Sequence, residues 1–208
     1  MGMIVLLIVA VLVVFWIIGA YNGLVSLRNQ VYNAWKQIDV QLKRRHDLIP
    51  NLVETVRGAM NFERETLEAV IAARNQAIAA AAQAAPAGGG GGGGGAPSPA
   101  LVHETARAEG QLTAALGRLF AVVEAYPDLK ATGNVARLQE ELTSTENKIA
   151  FARQLYNDTA TQYNTKQQQF PTSLVAGLAK TSPAELWEIT DGTEREAPKV
   201  DLSLHTKR

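Results

Sequence analysis

The sequence predicts an all-α protein, with a single N-terminal transmembrane helix followed by an antiparallel four-helix bundle of long helices. Two observations lead to this fold class. Residues Met3–Ala20 are apolar and uncharged. Most of the remaining chain repeats apolar residues at alternating steps of three and four, which is the spacing of one helix face. Runs of alternating apolar and polar residues, which would indicate strands, are missing from the sequence.

The first predicted element is the membrane anchor, residues 1–21. Its apolar stretch would span about 27 Å as a helix, close to the roughly 30 Å hydrocarbon core of a bilayer. Phe15, Trp16 and Tyr21 lie near one end, where amphipathic rings favour the headgroup zone. A cleaved signal peptide is the alternative, but the sequence has no basic residue before the apolar core, and such peptides have a basic start. We therefore expect the anchor to be retained.

The distribution of positive charge predicts the orientation of this anchor. Arg28 and Lys36 are the first charged residues after the apolar stretch, and Lys43, Arg44 and Arg45 follow. Basic residues that flank a membrane span stay on the cytoplasmic side. We expect a single-pass protein with its bundle in the cytoplasm and with the lipid bilayer as its first partner.

The bundle is expected to occupy residues 22–170. Its first helix should continue directly from the anchor, bend at Pro50 and end near Gly58, and a second helix should run from Asn61 to Ala85. One unbroken helix as far as Ala85 is the alternative. The apolar stripe of the first helix is Leu24, Leu27, Val31, Ala34, Ile38, Leu42, Ile49, Leu52 and Val56, and that of the second is Leu67, Val70, Ile71 and Ile78.

Two further helices follow a glycine-rich loop. Residues 86–99 contain eight consecutive glycines, a composition typical of a flexible linker. The third helix has the stripe Leu101, Thr105, Ala108, Leu112, Ala115, Leu119, Val122 and Tyr126. The fourth has the stripe Val135, Leu138, Leu142, Thr145, Ile149, Ala152, Tyr156, Thr159, Tyr163 and Phe170.

Short connections favour neighbouring helices of opposite direction. The fourth helix then ends near the bilayer, and we expect Tyr163, Phe170 and the apolar segment SLVAGLA, residues 173–179, to lie close to the headgroups. Residues 171–208 are interpreted as this short apolar segment followed by a polar C-terminal tail.

The composition argues against several function classes. The net charge is +0, whereas nucleic-acid binding requires a basic surface. The chain has no cysteine, which excludes disulfides, thiolate zinc sites and catalytic thiols. His46, His103 and His205 lack the Glu-x-x-His and His-Glu-x-x-His patterns of metal-binding helices. We therefore predict no catalytic residue, no cofactor and no metal, and expect that the protein is not an enzyme.

The candidate interaction surface is assembled from two parts of the chain. A polar cluster, residues 43–47, interrupts the first stripe just before Pro50. It is interpreted either as a solvated face with one residue capping the bend, or as a contact for a partner or another protomer. His46 is expected to be a hydrogen-bonded core residue. The full candidate set is Lys43, Arg44, Arg45, His46, Tyr156, Tyr163 and Phe170.

The outer face of the fourth helix has two interpretations as well. Its mixture of charges is consistent with a solvated face or with a surface where helices of neighbouring protomers meet. Each of Tyr21, Tyr32, Tyr156 and Tyr163 precedes an asparagine, at the membrane-near ends of the first and fourth helices, and these four pairs are interpreted as membrane-interface belt and cap residues.

Several long motifs resemble the LemA family. They are YNGLVSLRNQVYNAWKQIDVQLKRRHDLIPNLVETVRG, ETLEAVIAARNQA, ALGRLFAVVEAYPDLKA, LQEELTSTENKIAFARQLYND and YNTKQQQFPTSLVA, which occur in order across residues 21–176. The resemblance implies an N-terminal anchor and a four-helix bundle in the bacterial cell (inner) membrane, and it supplies no catalytic residue. The glycine run departs from the family pattern, and only APKVDL matches it in the C-terminal tail.

These observations together predict a structural or scaffolding protein that self-associates as a homo-oligomer at the bacterial membrane. An adaptor or regulator of another membrane protein, such as a protease or an envelope-stress component, is the alternative. An enzyme or metal protein is a third class, which the missing motifs disfavour.

Overall fold

The structure, a computed structural model, describes residues 1–57, 63–84, 97–126, 133–179 and 181–188. These residues form five helices and no strand, which confirms the predicted fold class. The helices are α1 (Gly2–Arg57), α2 (Arg64–Ala84), α3 (Pro99–Glu124), α4 (Gly133–Gln168) and α5 (Thr172–Leu178). The glycine run, the turn predicted at residues 58–61 and the APKVDL motif lie outside the described residues.

α1 joins the apolar segment to the bundle without a break. It has 56 residues, which corresponds to about 84 Å of helix. An 18-residue window in it is apolar enough to cross a membrane, and none of that window is buried inside the protein. The predicted continuity of the anchor with the first bundle helix is therefore confirmed, and the helix also continues through Pro50.

The helices pack as two neighbouring pairs. α1 packs along α4, and α2 packs along α3. Contacts between Trp35 and Tyr156 and between Arg45 and Glu146 show that α1 and α4 run in opposite directions. α2 folds back on α1, since Arg74 reaches the carbonyl of His46. In one unbroken helix these residues would be about 42 Å apart, so the single-rod alternative is wrong.

Two hydrophobic clusters fill the bundle. The distal core lies between all four long helices, far from the apolar segment, and consists mainly of Ile49, Leu52, Val53, Val56, Leu67, Val70, Ala73, Ala77, Leu112, Ala115, Leu119, Val135 and Leu142. The proximal core lies nearer the apolar segment and consists mainly of Leu24, Val31, Trp35, Ile38, Leu42, Val102, Ile149, Ala152, Tyr156, Tyr163, Val175 and Trp187.

The apolar periodicity located these cores well in three of the four long helices. The predicted stripe of α1 is buried throughout, apart from Leu27, which is half-buried. α2 differs, because Ile78 is 36% exposed and the buried positions after Val70 are Ala73, Ala77 and Ala80. The small alanine side chains allow close approach of a neighbouring helix, and in the structure that neighbour is α3.

Residues 181–188 form an extended segment against the proximal core, which we call the C-terminal strap. α3 begins only beside the middle of α1. The core cluster around the part of α1 before Ile38 therefore contains residues from the start of α3 and none from α2. α5 and the strap cover this part instead, with Ala184 and Trp187 buried. The sequence interpretation of a polar tail missed this apolar contact.

Candidate functional site

The structure separates the seven predicted interaction residues into two groups. Lys43, Arg44 and Phe170 are exposed, as an interaction surface requires. The other four are interior residues with at most 4% of their surface exposed: Arg45, His46, Tyr156 and Tyr163. The polar cluster is therefore not one solvated face, because two of its members turn into the bundle.

Arg45 is the centre of a buried network that joins three helices. Its Nη1 lies 3.3 Å from Oε2 of Glu109 on α3 and 3.2 Å from Oε2 of Glu146 on α4. Its Nη2 donates to Oγ1 of Thr113 at 2.8 Å. A guanidinium has five donors in a fixed plane, so its several partners define how α1, α3 and α4 align. The interpretation of this position as solvated is thereby corrected.

His46 contributes to the same network through both its side chain and its backbone. Nε2 of the ring lies 2.7 Å from Oε1 of Glu109, so the expected hydrogen-bonded core histidine is confirmed. Pro50 has no N–H to donate to the carbonyl of residue 46, which leaves that carbonyl without its helical partner. Nε of Arg74 donates to it at 2.7 Å. α2 thus compensates for the proline in α1.

This network has the features of a structural site. Glu109 is fully buried, and each of its carboxylate oxygens contacts a side chain of α1. Buried charges persist only when they are paired and hydrogen-bonded, and such pairs define helix alignment better than they add stability. Across the described ranges, no group of three or more histidine and acidic side chains is placed to hold a metal. His205 lies outside those ranges.

Tyr156, Asn157 and Asn164 hold the C-terminal strap against α4. Each asparagine amide forms a pair of hydrogen bonds with one strap residue: Asn157 with the N–H and carbonyl of Trp187 at 2.8 and 3.0 Å, and Asn164 with those of Ala184, both at 2.8 Å. The hydroxyl of Tyr156 donates to the carbonyl of Glu185 at 2.7 Å. These side chains replace the partners that an extended strand would find in a sheet.

The spacing of the two asparagines explains why an extended segment fits here. Seven residues of α-helix rise about 10.5 Å, and the three residues from Ala184 to Trp187 span about 10 Å when extended. The two amides therefore match the backbone groups of Ala184 and Trp187, which lie three residues apart in the strap. The Tyr-Asn pairs of α4 were interpreted as belt and cap residues, and the structure instead places them at this contact.

Aromatic packing anchors the end of the strap. The ring of Trp187 lies 5.7 Å from that of Trp35, and the guanidinium of Arg153 lies 4.9 Å from it. Trp35 in turn packs edge-on against Tyr156 at 5.4 Å. Burial raises the pKa of Tyr156 well above its ordinary value, with a further contribution from the nearby charge of Glu185. The phenol therefore stays neutral and remains a hydrogen-bond donor.

A second surface was missed by the sequence interpretation. Val40, Phe151 and Leu155 are 62%, 73% and 42% exposed on the side of α1 and α4. We call this surface the α1–α4 flank, a groove of about 450 Å³ lined by Lys36, Gln37, Val40, Gln41, Lys148, Phe151, Ala152 and Leu155. Phe151 and Leu155 are four residues apart but off the buried stripe of α4, and this spacing was the available signal.

The flank contains both polar and apolar side chains. Lysines and glutamines line the groove together with apolar side chains, of which Phe151 is the most exposed. A further groove of about 670 Å³ continues along α4 from Phe151 to Ala136. An apolar centre with a polar border is the usual composition of a protein contact surface.

The fold and these surfaces define a class: a membrane-associated helical bundle whose buried polar groups are structural and whose outer flank is apolar. The family model described as "LemA family" matches residues 34–202, and the chain belongs to that family. The similarity inferred from the sequence motifs is therefore confirmed.

Curated relatives agree with this assignment. Protein LemA of Metamycoplasma hominis is 27% identical over 93% of this chain and 78% of its own length. Two magnetosome proteins are similar as well. MamQ 2 of Paramagnetospirillum magneticum is 26% identical over 81% of this chain and 64% of its own length. MamQ of Magnetospirillum gryphiswaldense is 27% identical over 75% of this chain and 60% of its own length. The alignments thus span less than two thirds of these two magnetosome proteins.

Proposed function

We propose that this protein is a non-enzymatic scaffold, anchored in the bacterial inner membrane, whose copies associate side by side through the α1–α4 flank. The apolar part of α1 is the anchor, and the bundle of residues 22–170 lies in the cytoplasm. The basic residues Arg28 and Lys36 after the apolar part support this orientation. Family membership and the candidate span support the membrane location.

The exposed apolar centre of the flank is the observation on which the proposal rests. Phe151 is 73% exposed, although a phenylalanine usually contributes its large apolar area to a core or an interface. Contiguous apolar surface bordered by polar residues marks interaction sites. With no enzyme motif in the sequence and a fully engaged Glu109, an interaction role fits the molecule best.

A second copy of the chain is the occupant that the geometry favours. α1 is continuous from the span into the bundle, so the flank faces sideways along the membrane. Val40 lies about 30 Å beyond Ala20 along the helix, and every copy in the same orientation presents its flank at that height. Confinement to one membrane also raises the effective concentration of copies. The alanine face of α2 is less suited, since Ala77 and Ala80 are already buried.

Site-specific cross-linking tests this contact directly, because the chain has no native cysteine. Phe151→Cys in the full-length protein, reconstituted in vesicles, should form a disulfide-linked dimer on mild oxidation. Arg107→Cys on α3, which is exposed away from the flank, is the control and should stay monomeric on a denaturing gel. Equal cross-linking at both positions would contradict the proposal, since it would reflect random collision.

A charge introduced into the flank provides the complementary measurement. Phe151→Glu should reduce the native mass of the detergent-extracted parent assembly, because the substitution places a carboxylate in the apolar centre. Gln154→Glu adds the same charge at a neighbouring exposed position of α4 and should leave the mass unchanged. A parent protein that stays monomeric at every density of protein in the membrane would overturn self-association. It would favour the alternative function, an adaptor or regulator of another membrane protein.

A further inference from the structure

We propose that α5 is an interfacial membrane helix, which lays the apolar face formed by Phe170, Leu174 and Leu178 onto an anionic phospholipid surface beside the anchor. This is a second membrane contact in addition to the span, and it does not depend on self-association.

α5 is two-sided although it is short. Thr172, Val175 and Ala176 face the proximal core and are buried. On the other side, Leu174 and Leu178 are one turn apart and 61% and 81% exposed. Phe170, in the turn before the helix, is 82% exposed. Leaving three large apolar side chains in water is unfavourable in proportion to the apolar area exposed.

The position of α5 identifies the lipid surface as the occupant. α5 packs against α1 and α4, and its buried residues share a cluster with Leu24 and with Ala20 at the end of the uncharged stretch. Leu24 lies only about 6 Å beyond Ala20 along the helix. Interfacial helices bury their apolar side about 5–10 Å deep at the headgroup boundary, so the exposed leucines lie at the required depth.

Charge supports the same occupant independently. Residues 1–35 contain Arg28 and no acidic residue, and residues 159–179 contain Lys166 and no acidic residue. The end of the bundle that faces the bilayer is therefore basic, although the whole chain has a net charge of +0. Basic residues next to a membrane are attracted to anionic lipid headgroups. A protein partner would not require this separation of charge.

The experiment uses single cysteines carrying a nitroxide label in the full-length protein. Leu174→Cys and, independently, Leu178→Cys are reconstituted in vesicles of phosphatidylethanolamine and phosphatidylglycerol. Gln162→Cys, exposed on α4 about 12 Å above Phe170, is the aqueous control. Val13→Cys, in the middle of the apolar segment, is the hydrocarbon control. Accessibility to a water-soluble nickel relaxant and to oxygen reports the depth of each label.

The expected result is that the labels at 174 and 178 are several-fold less accessible to nickel than the label at 162, and that the label at 13 is deepest. Replacing phosphatidylglycerol with phosphatidylcholine should make the labels on α5 more accessible while leaving the label at 13 unchanged. Labels on α5 that are as accessible as the label at 162, with the label at 13 in hydrocarbon, would overturn the docking of α5 alone.

Two further outcomes also decide the question. A label at 13 that remains aqueous would overturn both the anchor and the docking. Protection of the α5 labels that disappears when the protein is diluted in lipid would show that a second copy, and not the bilayer, covers this face. The helicity of each variant, measured by circular dichroism, should match that of the parent protein. The labels at 174 and 178 should report the same membrane contact independently.

Discussion

In the distal core, four helices bury one another's side chains. In the proximal core, the described residues beside α1 and α4 are those of α5, the strap and the start of α3. The distal core is built from aliphatic residues and alanines at helical spacing. The proximal core relies on two tryptophans, two tyrosines and asparagine amides that bind backbone. Where helices cover helices, periodic apolar residues suffice. Where helices are missing, aromatic rings and amides make an extended chain fit.

The buried network lies where these two regions meet. Arg45 follows Leu42 of the proximal core and precedes Ile49 of the distal core, and Glu109 takes the corresponding place on α3. If the network aligns the two regions, removing it should affect both. Substitutions in the network, in each core and at the strap should show whether the two regions unfold separately.

The largest effect is expected from Glu109→Gln. Among the described residues, the substitution leaves Glu146 as the one ionic partner of the buried Arg45 guanidinium, and breaking a buried pair typically costs about 3–5 kcal/mol. Chemical denaturation should show this loss in the free energy of unfolding of the whole bundle. Glu104→Gln, an exposed position on the same helix, is the matched control and should change it little. Unfolding of the proximal region alone would mean that the network does not join the two regions.

Truncating side chains of the distal core should cause the next largest loss in the free energy of unfolding. Leu112→Ala and Leu142→Ala remove side chains that are 0% and 4% exposed, and each should cost about 2–5 kcal/mol. Leu155→Ala, on the exposed flank, is the control and should cost far less. Hydrogen exchange resolved along the chain would show whether the strap loses protection together with α2 and α3. Loss of protection in all of these elements would indicate one cooperative unit.

A double-mutant cycle tests how α2 supports α1 at the proline. Arg74→Met should cost about 1–3 kcal/mol, because the carbonyl of His46 is left without a donor. In a Pro50→Ala background, the restored N–H can bond that carbonyl, so the same Arg74→Met change should cost less. The coupling is measured from four denaturation curves. Equal costs in both backgrounds would show that the Arg74 contact serves another purpose.

The smallest global effect is expected from the strap. Asn157→Ala removes two hydrogen bonds to Trp187, each worth about 0.5–1.5 kcal/mol, but the freed strap backbone can then bond water. Amide exchange of residues 184–187 should therefore accelerate while the exchange of α2 and α3 stays unchanged. Asp158→Ala, an exposed neighbour, is the control. Faster exchange throughout the bundle would contradict the separation between the two regions.

The same contrast explains what the sequence could reveal. The three-and-four spacing located the helices and nearly all of the stripe of α4, since helix burial follows directly from periodicity. It misplaced the stripe of α2, where Ile78 is exposed whereas Ala77 and Ala80 are buried. Alanine scores as neither clearly apolar nor polar, yet close packing against α3 favours it over a larger side chain.

The apolar periodicity could not predict the buried polar network or the strap contacts, for a different reason. Arg45 and His46 are polar residues in a polar cluster, and only the partner Glu109, 63 residues after His46, makes them interior. Pro50 was a usable clue, because a proline inside a helix implies a carbonyl in need of a donor. The strap depends on Asn157 and Asn164 meeting residues that are 20 to 30 positions away. Such pairings cannot be read from local spacing.

The unbroken course of α1 has a mechanical consequence. Membrane-spanning helices tilt by about 20° on average, and the tilt depends on how the apolar length matches the bilayer thickness. About 55 Å of α1 extends beyond Tyr21, so a tilt of that size would move the distal end sideways by on the order of 20 Å. With the apolar part of α1 as the proposed anchor, a thin bilayer should lean the bundle and a thick one should straighten it. Membrane thickness would then control which neighbours the bundle can reach.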